Sequence, residues 1–179
     1  MVQTRKLSEI QNGEIFRIGN YEFIKFADEN GVTTAVSKDI LFDSRFGHTN
    51  NLASSIVLDR MKEEILPKIE NIIGAENVLE FETDLLSLDG SAKHGVMKSK
   101  ISLPTFDFYR KNRDIFEKHK LGVWWWLATP DSTREFTNDD WCVCVSPSGH
   151  FSRVSYDYFS LGVRPFWNFL SSIFVSYEE

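Results

Sequence analysis

Alternating apolar and polar positions near the start of the chain predict a three-stranded antiparallel meander. Residues 14–18 alternate loosely, and Gly19-Asn20 is a two-residue hairpin signal. Residues 21–26 alternate more regularly, with aromatic or apolar side chains at every second position. A turn over residues 28–31 then leads into a strand over residues 32–36.

Helical periodicity follows in two places. Over residues 51–73, apolar side chains recur mostly at spacings of four or five, which predicts a helix with one apolar face. Pro67 predicts a break or kink within it, and Gly74 is suited to cap its C-terminus. A second helix is expected over residues 105–119, because Thr105 can cap its N-terminus and Gly122 ends it. Between the helices, residues 78–81 and 85–88 are expected as short strands and 89–100 as a loop.

The last third of the chain predicts the densest part of the core. Residues 121–179 hold 14 of the 25 aromatic side chains but only three basic residues. Strands are expected over residues 123–127 and 161–167, and a hairpin over 141–154. Trp125 and Trp126 are expected to be structural, since adjacent residues of a strand face opposite sides and both sides are apolar. Stacking of a sugar or a base on one exposed tryptophan stays open.

Composition limits the classes of function. With 20 basic and 26 acidic residues the net charge is −6, which argues against direct nucleic-acid binding. No apolar run is long enough for a membrane span, and no secretory signal is expected in the first residues. Two cysteines make no disulfide framework, so a cytoplasmic location is expected. No linker divides residues 1–179, and we expect one α+β domain.

Few side chains suggest catalysis. Cys142 and Cys144 point to the same face of a strand, as a redox pair or metal ligands would, but burial among the tryptophans is the favoured interpretation. A catalytic pair of Cys144 with His150 would need a third, orienting group. The four histidines form no metal motif. We therefore expect no metal site, cofactor or catalytic residue.

Two polar features suggest other roles. Arg164, followed by Pro165, is expected to be structural and to tie strand ends together by donating to backbone carbonyls. The polar segment 131–140 is either an acidic protein-contact face or a solvated loop. Its spacing does not match a calcium loop of the EF-hand type. The candidate contact residues are Asp131, Arg134, Glu135, Asp139 and Asp140.

Three motifs carry a resemblance to a known family. They are the tract Trp125-Trp126-Leu127-Ala128-Thr129-Pro130, the hairpin about Gly149, and Gly162-Val163-Arg164-Pro165. Over about residues 14–170 the chain resembles a bacterial and phage domain family of unknown function, whose signature is Trp-Trp-Leu-Arg-Ser/Thr-Pro followed by Gly-Val-Arg-Pro. Ala128 stands where that family usually has arginine. The resemblance extends to the C-type-lectin-like fold of the formylglycine-generating enzymes, and implies a twisted antiparallel sheet with two main helices.

The resemblance leaves several functions open, because this fold hosts binding as well as catalysis. The leading hypothesis is a non-catalytic, phage- or mobile-element-encoded protein that contacts another protein. Its concrete form is an inhibitor of a host nucleic-acid enzyme, of the anti-CRISPR type, that occupies the basic surface meant for nucleic acid. One alternative is a lectin-like module for a carbohydrate or other ligand. Another is an oxidase similar to the formylglycine-generating enzymes, which would need a reactive Cys142 or Cys144.

Overall fold

The computed structural model describes residues 2–133, 140–157 and 159–178. In these residues the chain forms strands and short helices in the mixture expected of an α+β protein. The strands are β1 (Val2–Lys6), β2 (Ile15–Ile18), β3 (Tyr21–Glu29), β4 (Val32–Ser37), β5 (Phe42–Ser44), β6 (Phe81–Asp84), β7 (Val96–Ser99), β8 (Trp125–Pro130), β9 (Trp141–Val145), β10 (Phe151–Ser155), β11 (Leu161–Val163), β12 (Phe166–Leu170) and β13 (Phe174–Glu178). The α-helices are α1 (Ile56–Arg60), α2 (Leu66–Ile73), α3 (Phe106–Lys111) and α4 (Arg113–Lys118). None of them is long and apolar enough to cross a membrane.

The strands form three sheets rather than the one twisted sheet that the sequence suggested. A six-stranded sheet has the order β1-β13-β2-β3-β4-β12, and a five-stranded sheet has the order β10-β9-β8-β11-β5. Strands β6 and β7 form a separate two-stranded sheet. Among the strands of the described residues, all pairs are antiparallel except β11 with β8, which is parallel. The prediction of a mainly antiparallel α+β fold is therefore confirmed, with the strands divided among three sheets.

The predicted meander is present as β2, β3 and β4. Its first turn is tight, since Ile18 pairs with Tyr21 across Gly19-Asn20. The second is equally tight, since Glu29 pairs with Val32. Strand β3 is longer than predicted because a bulge between Lys25 and Ala27 lets it continue to Glu29.

Two cores lie on opposite faces of the large sheets. The first core is built around Phe16, Phe23, Trp126, Trp167 and Phe169, together with the helix of residues 56–73. The second core is built around Ile24, Phe26, Tyr109, Phe116 and Trp125. Neighbouring residues of one strand enter different cores: Trp125 and Leu127 lie in the second, and Trp126 and Ala128 in the first. Burial on both faces explains why β8 is apolar along most of its length.

The first predicted helix begins later than expected. Residues 52–54 form a single 3-10 turn, and α1 starts after Ser55, whose Oγ accepts a hydrogen bond from the Leu58 N–H at 3.0 Å. Pro67 does not break the helix. It lies in the first turn of α2, where a missing N–H is tolerated, and the preceding turn Met61–Ile65 widens into a π-helix. Gly74 caps the C-terminus, as predicted.

Four further predictions are corrected. Residues 85–88 form no strand, whereas Val96–Ser99 within the expected loop forms β7. The helix expected over residues 105–119 is divided into α3 and α4 at Asn112, whose backbone is not helical. Strand 161–167 is two strands in different sheets, because the chain crosses between the sheets at Arg164-Pro165. The terminal strands β1 and β13, which pair with each other, gave no signal in the sequence.

Candidate functional site

The described residues form a cleft of about 450 Å³. Strand β6 and the loop of residues 86–90 form one side, and the N-terminal turn of α3 forms the other. Phe166 and Leu103 lie between these two sides, at the floor of the cleft. Another, smaller concavity is lined by Arg17, Glu22 and Asp39, and Arg17 and Glu22 form an ion pair at 2.6 Å. The larger cleft is therefore the candidate site.

The floor of this cleft is aromatic. Phe166 packs edge-on against Phe81 and Phe108, with ring centroids 5.0 and 4.9 Å apart. Leu86 and Leu88 add apolar surface on the loop side, and both are about two-fifths exposed. Large apolar side chains that remain in contact with water at a concave surface are typical of sites that bind a partner.

The rim of the cleft is acidic. Among its lining residues, Glu82, Asp84 and Asp107 are acidic and Arg110 is basic, which gives a charge of 1 − 3 = −2. Arg110 pairs with Asp107 at 2.9 Å, and both side chains are more than half exposed. Glu82 pairs with Lys98 of β7 at 3.5 Å, and these side chains are also more than half exposed. Such solvated pairs are weak, so they leave the carboxylates able to attract a cationic ligand.

The motif residues Thr129 and Pro130 hold both walls of the cleft in place. The Thr129 Oγ1 accepts a hydrogen bond from the Phe106 N–H at 2.9 Å, at the start of α3. The Pro130 carbonyl accepts one from the Leu88 N–H at 3.0 Å, in the opposite loop. Thr105 caps α3 as predicted, since its Oγ1 accepts from the Phe108 N–H at 3.1 Å. The end of β8 thus fixes the distance between the two walls.

Ala128 lies in the first core and is fully buried. Its N–H donates to the Pro104 carbonyl at 2.9 Å, which joins β8 to the segment that leads into α3. Its side chain does not line the cleft. In this chain the position therefore contributes packing and a backbone contact, and no charged group.

The predicted contact residues of segment 131–140 are only partly placed. Arg134, Glu135 and Asp139 lie outside the described residues. Asp131 is mostly buried and pairs with Arg153 at 2.7 Å, and its carbonyl accepts from the Asp89 N–H at 3.4 Å.

Asp140 lies at the other end of this segment, and its carbonyl accepts a hydrogen bond from the Tyr156 N–H at 2.9 Å. Asp131 therefore lies beside the loop of the cleft without lining it, and the hydrogen bond from Tyr156 joins the Asp140 carbonyl to the chain after β10.

A polar network behind the cleft joins three loops. Asn50 is buried, and its Nδ2 donates to the Ser132 carbonyl at 2.9 Å while its Oδ1 lies 2.8 Å from the His94 Nε2. The Ser132 Oγ donates to the Asp89 Oδ2 at 2.6 Å, and the Ser87 Oγ donates to the other carboxylate oxygen. These contacts fix the loop of residues 86–90 from behind. A lone asparagine between two turns gave no sequence signal for this role.

The two cysteines are buried in the first core. Burial raises the pKa of Cys144 to about 12 and the pKa of Cys142 well above its usual range. Since the thiolate is the nucleophile and the metal ligand, neither group is poised for chemistry at neutral pH. His150, the partner considered for Cys144, is exposed. Within the described ranges, no three metal-ligating side chains come together.

Arg164 and the tryptophans lie where the two large sheets meet. The Arg164 Nε donates to the Ser37 carbonyl at 2.8 Å, and its guanidinium lies 5.2 Å from the Trp125 ring. Burial lowers the pKa of Arg164 to about 10, so it stays charged at neutral pH. The Pro165 carbonyl accepts from the Ser37 N–H at 2.8 Å. These contacts join residues 164–165, where the chain crosses between the two sheets, to the end of β4. Donation to a backbone carbonyl is the kind of contact that the sequence predicted for Arg164.

Trp124, Trp125 and Trp126 differ in exposure. Trp125 and Trp126 are buried, and the Trp126 Nε1 donates to the Ser44 carbonyl at 2.8 Å. Trp124 is 40% exposed, but it does not line the cleft. Trp125 and Trp126 therefore pack in the cores beside the sheets, and the aromatic surface of the cleft comes from phenylalanines.

Sequence reasoning missed the residues that form the cleft. The alternation of Phe81-Glu82-Thr83-Asp84 was the available signal, since it predicts a strand with one apolar and one acidic face. Nothing local to this tetrapeptide indicates that Phe106 and Phe166 lie across from it. Comparison of the chain with protein-family models, with curated proteins and with solved structures found no match in any of the three.

Proposed function

We propose that this chain is a non-catalytic binding protein whose cleft takes a basic, partly apolar segment of a partner protein. The observation that carries the proposal is the combination of an aromatic floor with a carboxylate rim. Aromatic side chains supply much of the binding energy at interfaces, while charges at the rim select the partner and speed association.

Charge complementarity defines the partner. The net charge of −6 and the acidic rim together favour a cationic protein surface over nucleic acid. Inhibition of a host nucleic-acid enzyme, such as an RNA-guided nuclease, is the concrete form of this proposal, because such enzymes carry basic surfaces for their substrates. An assay of DNA cleavage by the nuclease with increasing amounts of this chain tests that form, and undiminished cleavage would contradict it.

The finer fold assignment and the location belong to the same proposal. A C-type-lectin-like fold suits a protein that binds through loops beside a sheet, and here the loop of residues 86–90 lines the cleft beside β6. Free, buried thiols suit the reducing cytoplasm. The oxidase alternative loses support, since the raised pKa values of Cys142 and Cys144 leave almost no thiolate at neutral pH.

Selection from a displayed library of random ten-residue peptides tests the cleft itself. We expect the wild-type protein to enrich peptides that combine Lys or Arg with apolar residues. The double variant Glu82→Lys/Asp84→Lys should lose these peptides, because it reverses the charge of the rim. Asp59→Lys/Glu63→Lys is the matched control, since it changes the net charge equally at exposed positions of the first helix. Equal enrichment by both double variants would overturn the proposal.

A further inference from the structure

The cleft runs along one edge of the two-stranded sheet. All four residues of β6 line the cleft, whereas none of the residues of β7 does. Strand β7 pairs with one edge of β6, so the cleft lies against the opposite edge. In the described part of the chain, no strand pairs with that edge.

The register shows which backbone groups face the cleft. The Leu85 N–H donates to the Gly95 carbonyl at 3.0 Å, and this pair continues the register in which Thr83 lies opposite Met97. In an antiparallel pair, every second residue directs both its N–H and its C=O toward the partner strand. Phe81 and Thr83 therefore direct their N–H and C=O groups toward β7, as Leu85 directs its N–H toward Gly95, just before β7. The N–H and C=O groups of the two residues between them, Glu82 and Asp84, point into the cleft.

We infer that the partner segment binds by adding a strand to this edge of β6, an inference that rests on the proposed function of the cleft. Strand addition satisfies the backbone groups of Glu82 and Asp84 and aligns the segment with the aromatic floor. Every second side chain of the added strand then lies on the face of Phe81, above Phe166. The side chains between them lie beside the Glu82 and Asp84 carboxylates.

This geometry defines the occupant as an extended segment in which basic and apolar residues alternate. Oppositely charged residues on adjacent strands stabilise the pair, so Lys or Arg is favoured beside Glu82 and Asp84. Apolar residues are favoured on the other face, where Phe81 packs against Phe166. Four to five residues match the length of β6 and the beginning of the following loop.

A second copy of the chain is a poor occupant of the same edge. Two β6 strands side by side would bring Glu82 and Asp84 of both copies together, and like charges on adjacent strands are destabilising. Short length and outward charges are also how proteins protect an edge from self-association. The same acidic side chains that repel a copy attract a basic segment.

Amide hydrogen exchange tests the inference at single residues. The probe is an acetylated and amidated octapeptide in which lysine alternates with valine and phenylalanine. With the cleft about 90% occupied, exchange at the Glu82 and Asp84 amides should slow about tenfold, while exchange at Phe81 and Thr83 should not change. Slowing at Phe81 and Thr83 alone, or at none of the four amides while the peptide is bound, would overturn strand addition.

Backbone methylation of the probe separates the two proposals. Methyl groups on alternate amides can be placed in two frames, and only one frame blocks the hydrogen bonds to β6. We expect that frame to weaken binding about tenfold or more and the other frame to bind as the unmodified peptide does. Equal binding in both frames, with the rim variant Glu82→Lys/Asp84→Lys still weakened, would leave the proposed function standing and refute strand addition. No perturbation of any cleft residue by the unmodified peptide would count against both.

Discussion

Replacement of Lys25 by methionine should destabilise the protein while leaving the packing of the apolar stem at that position unchanged. Lys25 is only 2% exposed, at the bulge of β3, and its ammonium donates to the Leu7 carbonyl at 2.8 Å and to the Asp28 Oδ2 at 2.9 Å. Asp28 also accepts from Ser171 at 2.9 Å, in the turn between β12 and β13. The ammonium thus joins the N-terminal segment to the sheet, and methionine retains only its apolar stem.

The size of the effect follows from the groups that lose a partner. The Leu7 carbonyl keeps its hydrogen bond from the Ile10 N–H at 3.2 Å but loses the one from the ammonium, and a hydrogen bond to a charged group contributes about 1.5–3 kcal/mol. The charged hydrogen bond to Asp28 is also lost. Because the Asp28 side chain is about a quarter exposed, water replaces part of the lost interaction. Methionine avoids the cost of burying an ammonium. The net loss should be about 2–3 kcal/mol, which lowers the melting temperature by about 4–12 °C at this chain length.

Urea unfolding followed by tryptophan fluorescence measures this difference. Lys111→Met is the matched control, because Lys111 is exposed on α3 and should change the free energy of unfolding by less than about 0.5 kcal/mol. Asp28→Asn combined with Lys25→Met should cost less than the sum of the single changes, since each removes the same interaction. A Lys25→Met variant as stable as the control, or strictly additive effects, would refute the reasoning.

The pH dependence of stability provides an independent check on this pair. Burial raises the pKa of Asp28, but the hydrogen bonds from Lys25 and Ser171 outweigh burial and leave that pKa below its ordinary value of 3.8. The stabilisation is therefore present above pH 3.8 and is lost as the pH falls through the lower pKa of the folded state. Lys25→Met should lose less additional stability than the wild type between about pH 4 and pH 2.

Three other outcomes are expected. Cys142 and Cys144 should resist a thiol-specific chromogenic reagent at pH 8 until the protein is unfolded, because their buried thiols have raised pKa values; rapid labelling of the native protein would contradict this. Thr129→Val should accelerate amide exchange at Phe106, whose N–H loses its acceptor, whereas Thr129→Ser should preserve protection; equal exchange in both variants would refute the capping role. Burial lowers the pKa of His119, so the unfolded state binds protons more readily and stability should fall as the pH drops below 6.5. His119→Gln should flatten that part of the pH profile, and an unchanged profile would show that another group titrates there.

The elements that the sequence predicted well are those set by neighbouring residues. The meander of β2 to β4 follows from alternation and from tight turns whose residues favour positive φ, such as Gly19. The hairpin of β9 and β10 follows from the same kind of signal. The caps at Thr105 and Gly74 depend on one residue and the turn beside it. In each case a few adjacent side chains determine the local conformation.

The errors occur where distant contacts decide between local alternatives. Residues 161–167 are apolar apart from Arg164, which predicts one strand. The Arg164 guanidinium and the Pro165 carbonyl bond to Ser37, however, and the segment is divided between two sheets. Residues 96–99 have weak strand signals and become β7 only because β6 pairs with them. Sheet membership depends on which strand lies alongside, and local periodicity does not contain that information.

The candidate site depends even more than the fold on contacts between residues far apart in the sequence. Composition by itself determined the acidic charge, and periodicity determined the mixed α+β class. The cleft was decided by tertiary structure, because its walls come from β6, the start of α3 and the end of β8, and its floor comes from Phe166. Of the acidic residues that the sequence singled out in segment 131–140, the described ones, Asp131 and Asp140, do not line the cleft. Alternation along one strand indicates which side chains share a face, but only the packing of separate elements decides which strand edge is left unpaired beside an aromatic floor.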